Sequence, residues 1–216
     1  MSEREAKANR RPLKSRTTGW AALAARGALR LGLTANQISF LGILIAAAGA
    51  WALIEAAGNP GLLLIAALCV QLRLLANMLD GMVAVEGGRG GPTGAIWNEF
   101  PDRIEDSLLL IAAGYAADPL AGTFFGLIAA LLAAICAYVR LLGGTLGQQQ
   151  DFGGPMAKPH RMAALTLGLL IEFAYRLWTG DPFGGPWLLL AIEVIAAGTL
   201  LTIALRLYRM SKALRG

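Results

Sequence analysis

The residues with chemistry to offer fall in one stretch. Asn77-Met-Leu-Asp80-Gly81-Met-Val-Ala84-Val85 continues through Gly94, Asn98 and Asp102 to Asp106. It places acids and amides inside or beside segments that otherwise read as membrane-spanning. A carboxylate in hydrocarbon is costly and marks a functional site by default. The spacing is helical: Asn77 and Asp80 are three apart and Asp80 and Ala84 four apart, so one helix face carries them. Gly94, Asn98, Asp102 and Asp106 follow at steps of four, about 6 Å of rise each. Two polar stripes, on two helices joined by a short Gly-rich turn, can converge on one point. Such a convergence of oxygen donors predicts a site for a hard divalent cation.

The pattern resembles the signature of the CDP-alcohol phosphotransferases, D-x2-D-G-x2-A-R-x8-G-x3-D-x3-D. From Asn77 to Asp102 the chain reads N-x2-D-G-x2-A-V-x8-G-x3-N-x3-D, with every spacing kept. Asp80, Gly81, Ala84, Gly94 and Asp102 keep their identity, whereas Asn77 and Asn98 stand at the family's first and third aspartates and Val85 at its arginine. A second register, ending at Asp102 and Asp106, needs four extra residues and puts Asn98 at the glycine. The ungapped register is preferred because it inserts nothing. The resemblance implies transfer of a phosphatidyl or similar phospho-alcohol group from a CDP-alcohol, CDP-diacylglycerol foremost, to an acceptor alcohol with release of CMP. It implies Mg2+ or Mn2+ held by Asn77, Asp80, Asn98 and Asp102. It also implies Asp102 as the base for the acceptor hydroxyl, with Asp106 one turn deeper as the alternative.

For the substrate, the resemblance points to Gly81, Ala84 and Gly94, with Arg89 standing in for the arginine missing at Val85. Arg140, Lys158 and Arg161 border the loop after the fourth apolar segment, where the family gathers basic residues around the acceptor's phosphate; ordinary positive-inside charge is the competing account. An asparagine offers one neutral carbonyl oxygen where an aspartate offers two charged ones. Three outcomes therefore stay open: one metal in place of two, recruitment of Asp106 or Glu99, or a relative that binds lipid or nucleotide without catalysis. A polytopic ion or solute transporter is the alternative of another class, but the polar residues cluster toward one membrane face and no inverted repeat is visible.

These residues need a membrane bundle to position them. Of 216 residues, 56% are hydrophobic and only 15% charged, with mean hydropathy +0.57, a balance foreign to a soluble domain. Apolar segments at about 36–57, 61–85, 94–117, 119–143, 160–179 and 186–208 each suffice to cross a hydrocarbon core of about 30 Å, and in lipid they should be helices. The expected fold is an all-α integral membrane protein, a bundle of about six transmembrane helices preceded by an N-terminal amphipathic interfacial helix. Residues 1–34 form the basic cytoplasmic segment and that helix, and residues 35–216 the transmembrane domain. The helix carries Trp20, Leu23, Leu29 and Leu31 beside Arg26 and Arg30, the composition of a segment lying in the interface; continuity with the first span is the alternative.

Eight of the nineteen Lys and Arg precede the first span, and Arg206, Arg209, Lys212 and Arg215 cluster at the far end. Both termini and the site are therefore expected on the cytoplasmic side of the cell membrane, with Arg176 the exception among the opposite connections. The net charge of +5 suits anionic membrane lipids; no basic soluble domain exists to bind nucleic acid. The charged N-terminal run predicts no cleavable signal peptide. A homodimer is implied by analogy with the family.

Smaller features complete the reading. Glu86 to Thr93 is a Gly-rich turn, with Thr93 a candidate N-cap. Pro101 interrupts the third segment and predicts a local kink. Arg73, four before Asn77, stands on roughly the same face and either balances the site's charge or snorkels or pairs elsewhere. Glu99, Arg103 and Glu105 are expected on other faces of their helix. Cys69 and Cys136 read as small core hydrophobes, His160 as interfacial, and Glu172 and Glu193 as facing the bundle interior.

Overall fold

The chain is described by a computed structural model over residues 19–86, 93–181 and 186–215. Among the described residues every regular element is helical: α1 (Gly19–Arg30), α2 (Ala35–Ile54, extended by a 3-10 turn Glu55–Ala57), α3 (Leu62–Glu86), α4 (Gly94–Ala117), α5 (Ala121–Thr145), α6 (Lys158–Thr179) and α7 (Pro186–Leu214). Five of them, α2, α3, α5, α6 and α7, are long and apolar enough to cross a membrane. The other long helix, α4, has 24 residues but carries Glu99, Asp102, Arg103, Glu105 and Asp106 between its start and its middle. That charge lowers its hydropathy, and the structure provides partners for it inside the bundle.

The six long helices close a ring in which α2 packs on α3 and α4, α4 on α5, α5 on α7, α7 on α6, and α6 back on α3. The core is built largely of alanine, with Leu53, Leu63, Leu109, Leu110, Leu165, Leu188 and Ile192 filling between. Small residues let helix backbones approach where water offers no hydrophobic drive. The approach is tightest between α4 and α5: a Cβ on Gly114 would run into the Gly122 carbonyl, and one on Gly126 would sit 2.7 Å from the Leu110 carbonyl. Gly114→Ala is expected to destabilise the detergent-solubilised protein by about 1–3 kcal/mol through overpacking. Gly27→Ala, in a helix where a Cβ meets nothing within 4 Å, should be neutral or stabilising. Equal melting temperatures for the two variants would show that this crossing does not require glycine.

The helix ends follow local chemistry. Thr34 opens α2 in a capping box, its hydroxyl accepting from the Gln37 N–H while the Gln37 side chain accepts from the Thr34 N–H. Thr93 stands at the N-cap of α4 but makes no capping bond with its side chain. Between α4 and α5, Asp118 Oδ1 accepts from the Leu120 and Ala121 N–H groups at 2.9 and 2.6 Å, which holds its carboxyl below the usual carboxylate range. Helix α1 is separate from α2, since Gly32 turns the chain at φ 74°. It lays Ala21, Ala25 and Ala28 inward, the first two against Met78 and Met82 of α3 and the third beside Val83, and leaves Trp20 and Leu23 exposed.

Two expected oddities have a structural role. Arg176 is buried and donates from Nε to Glu172 at 2.7 Å and from Nη2 to the Ala116 carbonyl at 2.8 Å. Glu172 in turn accepts from the Leu188 N–H at 3.3 Å, so one ion pair ties α6 to α4 and α7. Cys69 and Cys136 are free and buried. Glu193 is only half-buried, and His160 is exposed.

Candidate active site

The motif's two halves ride on the C-terminal part of α3 and the N-terminal part of α4, and their polar faces meet. Asn77 donates from Nδ2 to Asp102 Oδ1 at 2.6 Å and to Glu105 Oε2 at 3.0 Å. With two carboxylates around one end of the amide, that end must be the NH2, and Oδ1 is the acceptor left over. Asp80 is buried, and its Oδ2 accepts from Ser39 Oγ of α2 at 2.7 Å. Its Oδ1 has no hydrogen-bond partner among the described residues. The charges of Asp102 and Lys158 lie close enough to act on the Asp80 carboxyl.

Behind this front sits a buried ion network. Arg73, fully buried, donates to Glu105 at 3.0 Å, to Asp106, and to Met162 Sδ at 3.2 Å. Arg161 donates to the other Asp106 oxygen at 3.0 Å and to the Met156 carbonyl at 3.1 Å. Lys158 is paired with Asp102 Oδ1, and Arg103 Nη2 lies 3.4 Å from Asp102 Oδ2. Four carboxylates, Asp80, Asp102, Glu105 and Asp106, thus face four cations, Arg73, Arg103, Lys158 and Arg161. Glycine at position 42 makes the fit possible, because a Cβ there would lie 2.5 Å from Glu105 Oε1.

Several sequence expectations change here. Glu105 does not face another side: it stands three residues after Asp102, hence on the same helix face, and is fully buried in the network. Lys158 and Arg161 turn into the carboxylate cluster, while Arg140 lines a different space. Asn98 is exposed at the start of α4 and Gly94 opens that helix with free space where a Cβ would be. Gly81 is half-buried on α3, and Ala84 packs against the small cluster of Ala28, Ile38, Ala76 and Val83. Arg89 lies outside the described residues, as does the side chain of Val85.

The space Arg140 lines is a cavity of about 380 Å3 between α5, α7 and the segment following α5, with Gln148, Asp151, Arg206 and Arg209 among its walls. Arg140 is paired with Glu99 of α4 and with Gln150, and its guanidinium lies 5.1 Å from the Phe152 ring. Arg206 donates to the Gly153 and Cys136 carbonyls at 3.0 and 2.8 Å, and Arg209 pairs with Asp151 at 3.2 Å. Three arginines against one aspartate make this wall net positive. Arg206 and Arg209 carry no sequence signal beyond ordinary positive-inside charge.

A divalent ion fits the front of this arrangement. Mg2+ and Mn2+ take oxygen ligands, and Mg2+ commonly binds through one or two carboxylates with substrate phosphates completing its shell. Asp80 Oδ1, Asn77 Oδ1 and Asp102 supply such oxygens. Among the described residues no three acidic, histidine or cysteine side chains group as a metal cage. The donor set therefore suits an ion that takes much of its coordination from outside the protein.

No protein-family model matches the chain. The phosphatidylinositol phosphate synthases of Mycobacterium tuberculosis and Mycobacterium bovis are 32% identical to it over 178 residues, 79% of this chain and 79% of theirs. That of Mycobacterium marinum is 31% identical over 180 residues, covering 81% of this chain and 74% of its own. Among solved structures, the M. tuberculosis phosphatidylinositol phosphate synthase in complex with manganese and citrate matches with TM-score 0.71 at 26% identity over 88% of each chain. The same enzyme with CDP-DAG bound matches with TM-score 0.70 at 26% identity, covering 88% of this chain and 92% of that one. The preserved motif spacing, the two helices that carry it and relatives of this similarity lead to one assignment: the chain is a membrane protein belonging to the CDP-alcohol phosphotransferase family.

Proposed function

We propose that the chain transfers a phosphatidyl group from CDP-diacylglycerol to the hydroxyl of an anionic acceptor alcohol, releasing CMP, with Mg2+ or Mn2+ as cofactor. The observation that carries this reading is the Asn77–Asp102 hydrogen bond between the motif's two halves, with Asp80 on the same face of α3, and the Glu99–Arg140 pair that links α4 to an arginine-walled cavity. Asn77, Asp80 and Asp102 would hold the divalent ion, whose charge would offset that of the pyrophosphate as the leaving group departs. Asp102 takes the acceptor's proton. Its Oδ1 is held by Asn77 and Lys158, while Oδ2 faces only the longer contact to Arg103, so Oδ2 is the oxygen for that proton. The acceptor oxygen then bonds to the lipid-linked phosphorus, and the bond from that phosphorus to the bridging oxygen breaks. Lys158 places a fixed positive charge beside the reacting phosphates. Asp106, enclosed by Arg73 and Arg161, holds the cluster and takes no proton.

In this reading residues 35–216 form one domain of six crossings with α4 as the third, and the site and both termini face the cytoplasm, as the Lys/Arg distribution favours. The test is CMP release from labelled CDP-diacylglycerol by the purified protein, with inositol phosphate, glycerol phosphate and their uncharged parent alcohols as acceptors. A phosphorylated acceptor should be preferred, and Arg140→Ala should raise its KM by about tenfold or more while affecting the uncharged alcohols little, the loss of one charge-assisted contact being about 1.5–3 kcal/mol. In sealed vesicles activity should appear only on the side that carries the termini. No CMP release with any acceptor or CDP-alcohol would overturn the transferase reading. A preference for uncharged acceptors would overturn the assignment of the cavity.

A further inference from the structure

The front of the site is already neutral, which bears on how the ion arrives. Asp106 is taken by Arg73 and Arg161, Glu105 by Arg73 and Asn77, and Asp102 by Lys158, Asn77 and Arg103. Asp80 Oδ1 and Glu105 Oε1 are the carboxylate oxygens of the cluster left buried without a hydrogen bond among the described residues, and Asp80 is the one of the two carboxylates with no salt bridge there. Asn77 and Asn98 add no charge. A divalent ion entering such a cluster alone brings two positive charges that nothing in the cluster compensates, in surroundings where burying unpaired charge is costly. A nucleotide pyrophosphate brings two negative charges of its own and free oxygens for the ion's shell.

We propose that this chain does not hold its divalent ion in advance but takes it up together with the pyrophosphate of the donor, with Lys158 acting as the internal counter-ion that keeps the site metal-free in between. The proposal rests on the transferase reading above and adds an order to it: ion and nucleotide bind as one unit, each tightening the other by the same factor. It also assigns Asn77 a role. It lowers the site's standing negative charge, so that the ion is retained only while the nucleotide is there.

Titrating Mn2+ into the full-length protein in detergent, with loss of the free-ion paramagnetic resonance signal as readout, tests this without any turnover. Mn2+ alone should bind weakly, and saturating CDP should tighten it by about 100-fold, the upper range of ordinary coupling. CDP affinity should rise by the same factor when Mn2+ is present. Lys158→Met and Asn77→Asp each make the cluster one charge more negative, and each should raise the affinity for Mn2+ alone about tenfold or more and shrink the effect of CDP. Two variants on different helices guard against one failing to fold. Tight Mn2+ binding by the wild-type protein without CDP, or unchanged Mn2+ binding in both variants, would overturn the proposal while leaving the transferase reading in place. If CDP binds neither with nor without metal, the transferase reading itself fails and the proposal with it.

Discussion

Asp80→Asn is expected to reduce CMP release by more than about 100-fold while leaving the fold intact. The replacement keeps the shape and one acceptor oxygen for Ser39, so the 2.7 Å bond from α2 survives. What disappears is the charge of the one carboxylate in the cluster that no arginine or lysine among the described residues contacts directly. Asp102, Glu105 and Asp106 cannot take over, because each is already engaged by cations. Removing a group that orients a metal ligand commonly costs 10–100-fold. Ser39→Ala should fall in that range, since it frees the Asp80 carboxylate to turn without removing it, and loss of the ligand itself should exceed it. The measurements are initial rates of CMP release at saturating Mn2+ and the melting temperature of each variant. Turnover within tenfold of wild type in Asp80→Asn, at unchanged stability, would show that Asp80 is not at the metal.

How much of this was legible in sequence differs by element. Each of the six apolar segments corresponds to a helix, because hydrophobic runs of that length have few alternatives. Gly19–Arg30 is a helix too, but its buried face is alanine against Met78 and Met82, with Trp20 left out. A hydrophobicity pattern finds the large residues left on the outer face, as an interfacial helix requires, but not the alanine face that packs on α3. The convergence of Asn77 with Asp102 follows from spacing within two neighbouring helices. The Thr34-x-x-Gln37 capping box was equally available as a local pattern.

What escaped is pairing across the bundle. Lys158 and Arg161 read either as holders of the acceptor's phosphate or as positive-inside charge, and nothing local says that α6 packs on α3 and delivers them to acids of α4. Arg206 looked like topology-setting charge, yet it is buried and braces Gly153 and Cys136. Its role depends on the segment after α5 folding back over α7. Glu105 was the recoverable miss. Its three-residue step from Asp102 put it on the site's face, and Arg73, four before Asn77, offered a cation for it.

The sharpest contrast within one helix turn is between Asp102 and Asp106. Asp106→Asn is expected to destabilise the protein by about 3–5 kcal/mol, the cost of breaking a buried ion network by removing one partner. An amide at this position offers one oxygen to two guanidiniums and turns its NH2 toward the other, and both Arg73 and Arg161 are too buried for water to relieve them. Activity should fall only in step with the folded fraction. Asp102→Asn should do the opposite. Asp102 is only half-buried, and Lys158 and Arg103 sit where they can reach solvent, so its loss should cost much less stability. It is the carboxylate that takes the acceptor's proton, and its removal should lower turnover by about 10²–10⁴-fold, the usual contribution of a general base. Thermal melts and CMP-release rates on the same two preparations separate the roles. If Asp106→Asn melts like wild type but is inactive while Asp102→Asn turns over normally, the base is Asp106 and the ungapped motif register is wrong. The charged shell around Asp106 makes that outcome physically unfavourable: protonating a carboxylate clamped by two buried guanidiniums would leave Arg161 without a counter-charge and Arg73 with Glu105 as its close partner.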